Sequence, residues 1–391
     1  MLSSPPPELR VLVVANEAPP AHGGMQRFTE DVMRAASSRH QARLLAPDAP
    51  EGFLATTDAT RRHLSKRIVD EAHRHSADVV HLLQAGLAFV APALDRAGLA
   101  TVVTTHGKDL TETWMLGRLT DAEREQLVRS SLRAAHRVTA VSRFTRDVAW
   151  REGARDPIAI VPPAIDVHRF SPLASNTPRQ RRRLRKELGL PADRPMILTV
   201  GRIVTRKGHA DLLDAIGELD DLSPLWVIVG DGPDGVTLDE AIGAFSGRAE
   251  IVRRNDVPPD ALPLFYRASD VFALAPFQRD DRGALDFEGF GIVFLEAAAC
   301  ARPVVATRSG GVPDAVLHDE TGYLVPPRTP AALANALRDL LTDERRAERL
   351  GRKGRAHVVD EATHARMAKR FDRVYRDAIL ARADVGLHRV P

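Results

Sequence analysis

The chain has 391 residues, 44% of them apolar and 27% charged, which is the composition of a soluble globular protein of two or three domains. That balance excludes intrinsic disorder, collagen-like repeats and low-complexity architecture for its bulk. Its 55 lysines and arginines face 52 aspartates and glutamates, and an excess of +3 is too small to argue for a nucleic-acid partner. A lone cysteine, Cys300, excludes an intrachain disulfide framework and any multi-cysteine metal site. No apolar run approaches the roughly 18–20 residues of a membrane span. The start, Met1 to Arg10, holds prolines but no basic segment ahead of an apolar core, unlike a secretory signal. The expected location is the cytoplasm.

The first element is the β-branched run Arg10–Ala15, of the kind that forms a parallel strand buried on both faces. The turn Ala18-Pro19-Pro20 ends it, and Gly23-Gly24 opens a helix from Met25 to about Ser38. Strands follow at Ala42–Leu45, Val79–Leu83, Thr101–Thr105, Val138–Val141 and Ile158–Val161, separated by helical patterns such as Arg61–His75 and Asp121–Ala135. This alternation predicts a doubly wound α/β domain over 1–170. The rhythm breaks at 171–195, where Pro172, Pro178, Pro191 and Pro195 surround the basic run Arg179–Lys186. A linker leading into the opening helix of a second domain is the simplest account. That basic run, like Arg61–Arg67, reads as a solvated helix face more readily than as a membrane or acidic-acceptor patch.

Alternation resumes with strands Met196–Val200, Leu225–Val229, Glu250–Arg253, Val271–Ala275 and Pro303–Thr307. Between them lie helices His209–Leu219, Leu238–Phe245, Leu262–Ala268 and Gly291–Ala299, and a glycine-rich loop follows at Ser309–Gly311. A last helical region runs from Ala331 to about Ala381. The expected division is therefore a second α/β domain over 196–364 and a terminal helix over 365–391. Ligands of such domains bind in clefts at strand C-termini.

Chemistry concentrates in a few loops. In Glu288-Gly-Phe-Gly-Ile-Val-Phe-Leu-Glu296 a loop enters a helix whose first amides are free to face an anion. Glu296 lies two turns past Gly289, so its carboxylate returns to nearly the same face, where it suits a ribose diol, and Glu288 suits a second sugar. The plainer alternative is a helix with an acidic start and a solvated glutamate. Glu296 sits among apolar neighbours, however, and a half-buried carboxylate needs a partner. In Val200-Gly-Arg-Ile-Val-Thr-Arg-Lys-Gly208, Arg202 and Lys207 leave a strand end together, as a diphosphate site requires, or as a solvated basic turn would. Gly23-Gly24 is compatible with phosphate or with an ordinary turn. His106, in Thr104-Thr-His-Gly107, could donate to a sugar hydroxyl or phosphate, or simply satisfy a backbone carbonyl.

Gly230-Asp-Gly-Pro-Asp-Gly235 matches the G-x-G-x-x-G dinucleotide pattern, but Asp231 and Asp234 would stand where a pyrophosphate sits. The acidic residue about twenty positions on, Glu250, opens the following strand instead of closing it. A nicotinamide site is rejected there. There is no His-Glu-x-x-His, Walker loop, G-x-S-x-G elbow or Asp-x-Asp; Asp280-Asp281, near Arg282 and Gly283, is the nearest carboxylate pair.

In this order and spacing the motifs resemble the GT-B glycosyltransferases of the large retaining family 4, over essentially the whole chain. The carriers are Gly23-Gly24, Thr-His-Gly at His106, Val-Ser-Arg-Phe at Ser142 and Val-Pro-Pro-Ala-Ile-Asp at Asp166. In the second half they are Gly-Arg…Arg-Lys-Gly at Arg202 and Lys207, Val-Gly-Asp-Gly-Pro at Gly230, the Glu288/Glu296 pair, Ser309-Gly-Gly-Val-Pro313 and Gly322-Tyr-Leu-Val-Pro326. The resemblance implies two Rossmann-like domains facing across a cleft, and a retaining hexosyltransferase that uses a nucleotide-diphosphate sugar and needs no metal.

By that resemblance His106, Arg202, Lys207 and Glu288 are the catalytic set. Donor binding falls to Gly23, Gly24, Arg202, Lys207, Arg254, Phe290, Gly291, Ile292, Val293 and Glu296. The acceptor, a glycan, glycolipid or small molecule, belongs to the first domain, and the last helix crosses back to it. The stretch Arg279–Glu288 is similar to that of bacterial mannosyltransferases of the phosphatidylinositol mannoside type, which puts GDP-mannose ahead of a UDP-hexose or UDP-GlcNAc. Peripheral contact with the inner face of a membrane through the basic helices is compatible with this reading. Two rivals stand beside it: a nucleotide-sugar epimerase or hydrolase on the same fold, which needs no acceptor, and a non-catalytic sugar-nucleotide binder.

Overall fold

A computed structural model describes residues 7–18, 23–47, 53, 56–111, 120–281 and 284–387. Pro19, Pro20, Arg282 and Gly283 lie outside them. The chain divides into two units, Met1–Ala164 with His364–Pro391, and Ile165–Thr363. The first boundary falls at 164, not 170, because the intervening residues are tied to the second unit. Ile165 N–H donates to the Ala362 carbonyl at 2.7 Å. Arg355 donates to the carbonyls of Val167 and Phe170, each at 2.9 Å.

The first unit is a parallel sheet of β1 (Arg10–Val14), β2 (Gln41–Leu45), β3 (Val79–Leu82), β4 (Ala100–Thr105), β5 (Arg137–Ala140) and β6 (Ile158–Ile160), in the order β2-β1-β3-β4-β5-β6. Every residue of β3 and β4 is buried, as strands covered on both faces by helices must be. The terminal helix His364–Leu387 packs on this sheet. His81 of β3 bridges the Tyr375 hydroxyl at 2.9 Å and the Thr104 hydroxyl at 2.7 Å. At the start of the same helix His364 meets Asp31 at 2.7 Å.

Burial, with His106 adding to it, holds the His81 imidazole down at about 3. An unfolded histidine titrates near 6.5, so between about 6.5 and 3 the unfolded chain binds the extra proton and acid favours unfolding. Stability should therefore be fully present above about pH 6.5 and fall on acidification, by up to about 1.4 kcal/mol per pH unit from this group. Denaturant titrations at pH 7 and 5 test it. His81→Asn should lose less stability over that interval than the unaltered protein, and equal losses would refute the assignment.

The second unit has β7 (Met196–Val200), β8 (Leu225–Val229), β9 (Glu250–Arg254), β10 (Val271–Leu274), β13 (Val304–Thr307) and β14 (Gly322–Val325) in the parallel order β14-β13-β10-β7-β8-β9. A separate antiparallel hairpin joins β11 (Arg279–Asp281) to β12 (Ala284–Asp286). The order reverses between β7 and β10, which is where an open α/β sheet offers a ligand crevice.

The basic run at 179–186 is not simply a solvated face. It forms the helix Pro178–Glu187, capped by Thr177, in which Arg181 and Arg185 are buried while Arg182 and Arg183 are exposed. Arg181 Nε and Arg185 Nη2 donate to the two oxygens of Asp270 at 2.8 and 2.6 Å. Segment 171–195 is thereby anchored to the second sheet and is no free linker. The single helical region expected at the end is three helices, Pro330–Thr342, Glu344–Glu361 and His364–Leu387. Asp343 caps the second of them by accepting from Arg346 N–H. The helix Arg143–Arg151, the helical segment 85–96, the β11–β12 hairpin and the edge strand β14 were not legible as elements.

Candidate active site

In the second unit the loops after β7, β8, β10 and β13 are tied together at the C-terminal ends of their strands. Ile203 N–H donates to the Asp231 carbonyl at 2.9 Å, and Asp234 N–H to the Ile203 carbonyl at 3.2 Å. The Asp234 carboxylate accepts from the Thr205 hydroxyl at 2.6 Å and also from Thr205 N–H. The Gly230–Gly235 turn is thus a buttress for the loop 201–208, and one of its carboxylates is spent on that loop.

Two glycines set the close approaches. Gly208 has φ 71°, and a Cβ there would lie 2.0 Å from the Ala275 carbonyl oxygen. Gly310 has φ 53°, and its Cβ would lie 2.3 Å from the Glu288 carbonyl oxygen, which also accepts from Gly311 N–H at 2.8 Å. Only glycine fits either place without displacing backbone.

These constraints bring Lys207 to Glu288. Lys207 Nζ donates to Glu288 Oε2, and Arg206 Nη1 donates to the same oxygen at 3.1 Å. Arg206 Nε also pairs with Asp286 Oδ1 at 3.0 Å. Burial alone would raise the Glu288 carboxyl, but Lys207 and Arg206 outweigh it and hold the group below its ordinary value. Arg202, from the same loop, is exposed, and among the described residues its guanidinium has no partner. A strand-end loop therefore presents two cations committed to carboxylates, Lys207 and Arg206, and one, Arg202, open to solvent.

The helix after Glu288 begins at Ile292, one residue later than expected, with Gly291 as its N-cap at φ 89°. Phe294 N–H donates back to the Gly291 carbonyl at 3.0 Å, while helix geometry leaves the amides of Ile292 and Val293 without an intrahelical acceptor. Phe290 is buried just ahead of them. Glu296 is only 3% exposed, so the solvated-glutamate alternative does not hold. The partner that its burial demands is Tyr266, whose hydroxyl donates to Oε2 at 2.7 Å. Arg254 closes β9 at the same end of the sheet, and its carbonyl accepts from Gly230 N–H at 2.9 Å.

The remaining residues lie in the first unit. Gly23 is the extended N-cap of the helix Gly24–Ser37, which starts one residue before its expected beginning. Phe28 of that helix meets the His106 ring edge-on at 4.6 Å between centroids, so the glycine pair and His106 share one neighbourhood. His106 Nε2 donates to the Leu83 carbonyl at 2.9 Å, and burial, opposed by Asp109, lowers the imidazole below its ordinary value. In the neutral ring Nδ1 is left as the acceptor.

Asp109 was not singled out from the sequence. Its carboxylate accepts from the amides of His106 at 2.9 Å, Gly107 at 2.8 Å and Ala85 at 2.8 Å, which fixes the loop after β4. An aspartate two residues beyond a strand-end glycine was the available signal for it. Arg206 stood inside a motif without being marked, and Tyr266 carried no signal at all.

Comparison with known proteins gives a consistent pattern. Residues 180–357 match the family model described as Glycosyl transferases group 1, and residues 22–169 match Glycosyltransferase Family 4. The chain is 33% identical, over 90% of its length and 94% of the relative's, to a GDP-mannose-dependent alpha-(1-6)-phosphatidylinositol monomannoside mannosyltransferase of Mycolicibacterium smegmatis. A GDP-mannose-dependent monoacylated alpha-(1-6)-phosphatidylinositol monomannoside mannosyltransferase of Corynebacterium glutamicum is 30% identical over 93% of this chain and 97% of its own. Among solved structures, the sucrose-phosphate synthase of Thermosynechococcus elongatus superposes with a TM-score of 0.76 at 22% identity, over 96% of this chain and 100% of that one. This last likeness shows the fold, that of the GT-B glycosyltransferases. None of these likenesses favours the epimerase, hydrolase or non-catalytic readings.

Proposed function

The chain belongs to the glycosyltransferases of group 1 and family 4, and from that membership we propose that it moves a mannosyl residue from GDP-mannose to a hydroxyl of a phosphatidylinositol mannoside-like glycolipid, with retention of configuration. The observation that carries the proposal is the cluster of Lys207 and Glu288 beside the exposed Arg202, at the reversal of strand order in the second sheet. Likeness to the mannosyltransferases of M. smegmatis and C. glutamicum supports the donor and the acceptor class.

Arg202 and Lys207 take the diphosphate, and the amides of Ile292 and Val293 take its remaining oxygens. Glu296, steadied by Tyr266 on Oε2, accepts from the ribose hydroxyls, while Arg254 lies towards the base. Glu288 accepts from hydroxyls of the transferred sugar. As the glycosidic bond breaks, negative charge grows on the leaving GDP, where Arg202, Lys207 and a helix N-terminus stabilise it in place of a metal. Gly23, Gly24 and His106, with Nδ1 as its free acceptor, serve the first unit's share of substrate binding.

No described helix is long and apolar enough to cross a membrane. In this reading the protein reaches its lipid acceptor peripherally, through exposed cations such as Arg62 and Lys66.

Calorimetric titration with GDP, UDP and ADP, each with magnesium and with chelator, tests the donor site, and mannosyl transfer to phosphatidylinositol mannosides tests the acceptor. Selective GDP binding that survives chelation is expected. Selective UDP binding would overturn the sugar, and no binding at millimolar nucleotide would overturn the site.

A further inference from the structure

Glu288 carries two cations on one oxygen, and the proposed reading asks one of them to leave. Lys207 is needed at the diphosphate, yet in this structure its ammonium is bonded to Glu288 Oε2. The Glu288 side chain is 12% exposed, so a carboxylate stripped of Lys207 needs another counter-ion to stay where a sugar hydroxyl can find it. Arg206 is placed for that task. Its Nη1 donates to the same oxygen at 3.1 Å, and its Nε pairs with Asp286 at the end of β12. Its backbone is pinned as well, since the Arg206 carbonyl accepts from Phe277 N–H at 2.9 Å. With two nitrogens already on carboxylates and the side chain 19% exposed, Arg206 is poorly free to serve as a phosphate ligand, whereas Arg202 is open.

Resting on the donor-site reading above, we propose that Arg206 is a positioning residue for the transferred sugar: it bridges Asp286 and Glu288 and keeps the Glu288 carboxylate in place while Lys207 turns from it to the diphosphate. Arg206 touches neither nucleotide nor sugar. It acts through Glu288, and it couples the β11–β12 hairpin to the loop of Lys207. The donor thus meets a site in which one cation is exchangeable and its neighbour is fixed.

The readout is the difference between a nucleotide and its sugar conjugate. The nucleoside diphosphate alone does not reach Glu288, and the nucleotide sugar does. Binding of GDP and of GDP-mannose is measured by calorimetry, with initial transfer rates, for the unaltered protein, Arg206→Ala, Arg206→Lys and Asp286→Asn. If the unaltered protein selects UDP, the pair is UDP and UDP-glucose.

Arg206→Ala should weaken GDP, which draws Lys207 from Glu288, by clearly less than it weakens GDP-mannose, so that the extra affinity contributed by the sugar is lost, and kcat should fall on the order of 10- to 100-fold. Arg206→Lys should restore part of kcat, because an ammonium reaches one carboxylate but not both. Asp286→Asn should move in the same direction as Arg206→Ala by a smaller factor.

An equal loss of GDP and GDP-mannose binding in Arg206→Ala would make Arg206 a phosphate ligand or a general prop and overturn the proposal. Unchanged sugar-dependent affinity and kcat would overturn it too. Absence of nucleotide binding in the unaltered protein is a different failure, since it removes the donor-site reading and the proposal with it.

Discussion

Asp270→Ala is expected to destabilise the second unit by about 3–5 kcal/mol, the cost typical of leaving buried charges without their partner. Asp270 lies just ahead of β10 and accepts from Arg181 Nε at 2.8 Å, Arg185 Nη2 at 2.6 Å and Met196 N–H at 2.8 Å. Burial by itself would raise its carboxyl, but Arg185 and Arg181 outweigh that and hold it below the ordinary value. A third guanidinium, Arg302, is also buried here; burial first, then Arg181, bring it down to about 10.

Without Asp270 three buried arginines would face only backbone carbonyls, Asn176 and an exposed Glu344 that lies 3.7 Å from Arg181. Asp270→Asn, which keeps an acceptor but not the charge, should cost less. Because the folded-state carboxyl is depressed, its contribution is present above the ordinary aspartate range and is lost as pH falls through the folded value. Urea denaturation of both variants near pH 7 measures the cost. A loss under about 1 kcal/mol for Asp270→Ala would mean that the arginines are held by the carbonyls alone.

This cluster also shows where the sequence could be read and where it could not. The strands β1, β3, β7, β8 and β10 are apolar runs bounded by turn residues, so their existence and their parallel, doubly covered character follow from composition. Arg181 and Arg185 belong to an equally regular pattern, since with Leu184 they repeat at three and four residues along the buried stripe of one helix. An arginine in such a stripe reads as solvent-facing unless its partner is known, and Asp270 stands 85 residues away from Arg185.

The same distance problem hid Tyr266 from Glu296 and Arg206 from Asp286. The demand for a partner was legible from burial, but its identity required the fold. Glycines were more transparent. Gly208 follows Arg206-Lys207 and Gly310 stands in the Ser309-Gly-Gly loop, both after strand ends, and the structure gives both a positive φ and a backbone neighbour too close for a Cβ. What the sequence marked best were thus positions where local geometry and chemistry coincide. Long-range ion pairs, which set the electrostatics of the site, were invisible to it.

Lys207→Ala is expected to lower kcat by about 10²–10³-fold, the effect of removing one preorganised charge from a site where the leaving group gains its negative charge. The protein should remain folded, because Lys207 sits on a loop whose backbone is held by Gly208, Asp234 and the Phe277 amide. Two further consequences follow from its bond to Glu288. Lys207 and Glu288 act on one another, so the double variant Lys207→Ala/Glu288→Gln should lose less than the product of the two single losses.

The acid limb of activity should also move. In the unaltered protein Lys207 and Arg206 together hold the Glu288 carboxyl below its ordinary value, against burial that would raise it. Glu288 then stays ionised down through the usual glutamate range, near 4.3, and imposes no loss of rate above it. In Lys207→Ala only Arg206 opposes burial, so Glu288 takes up its proton at a higher pH and the residual kcat/KM should begin to fall earlier on acidification. The comparison is a pH–rate profile from 4.5 to 8 for both proteins, each checked for retained fold at the acid end. Superimposable acid limbs would show that Lys207 does not govern Glu288 during turnover, even if the loss in kcat is as large as expected.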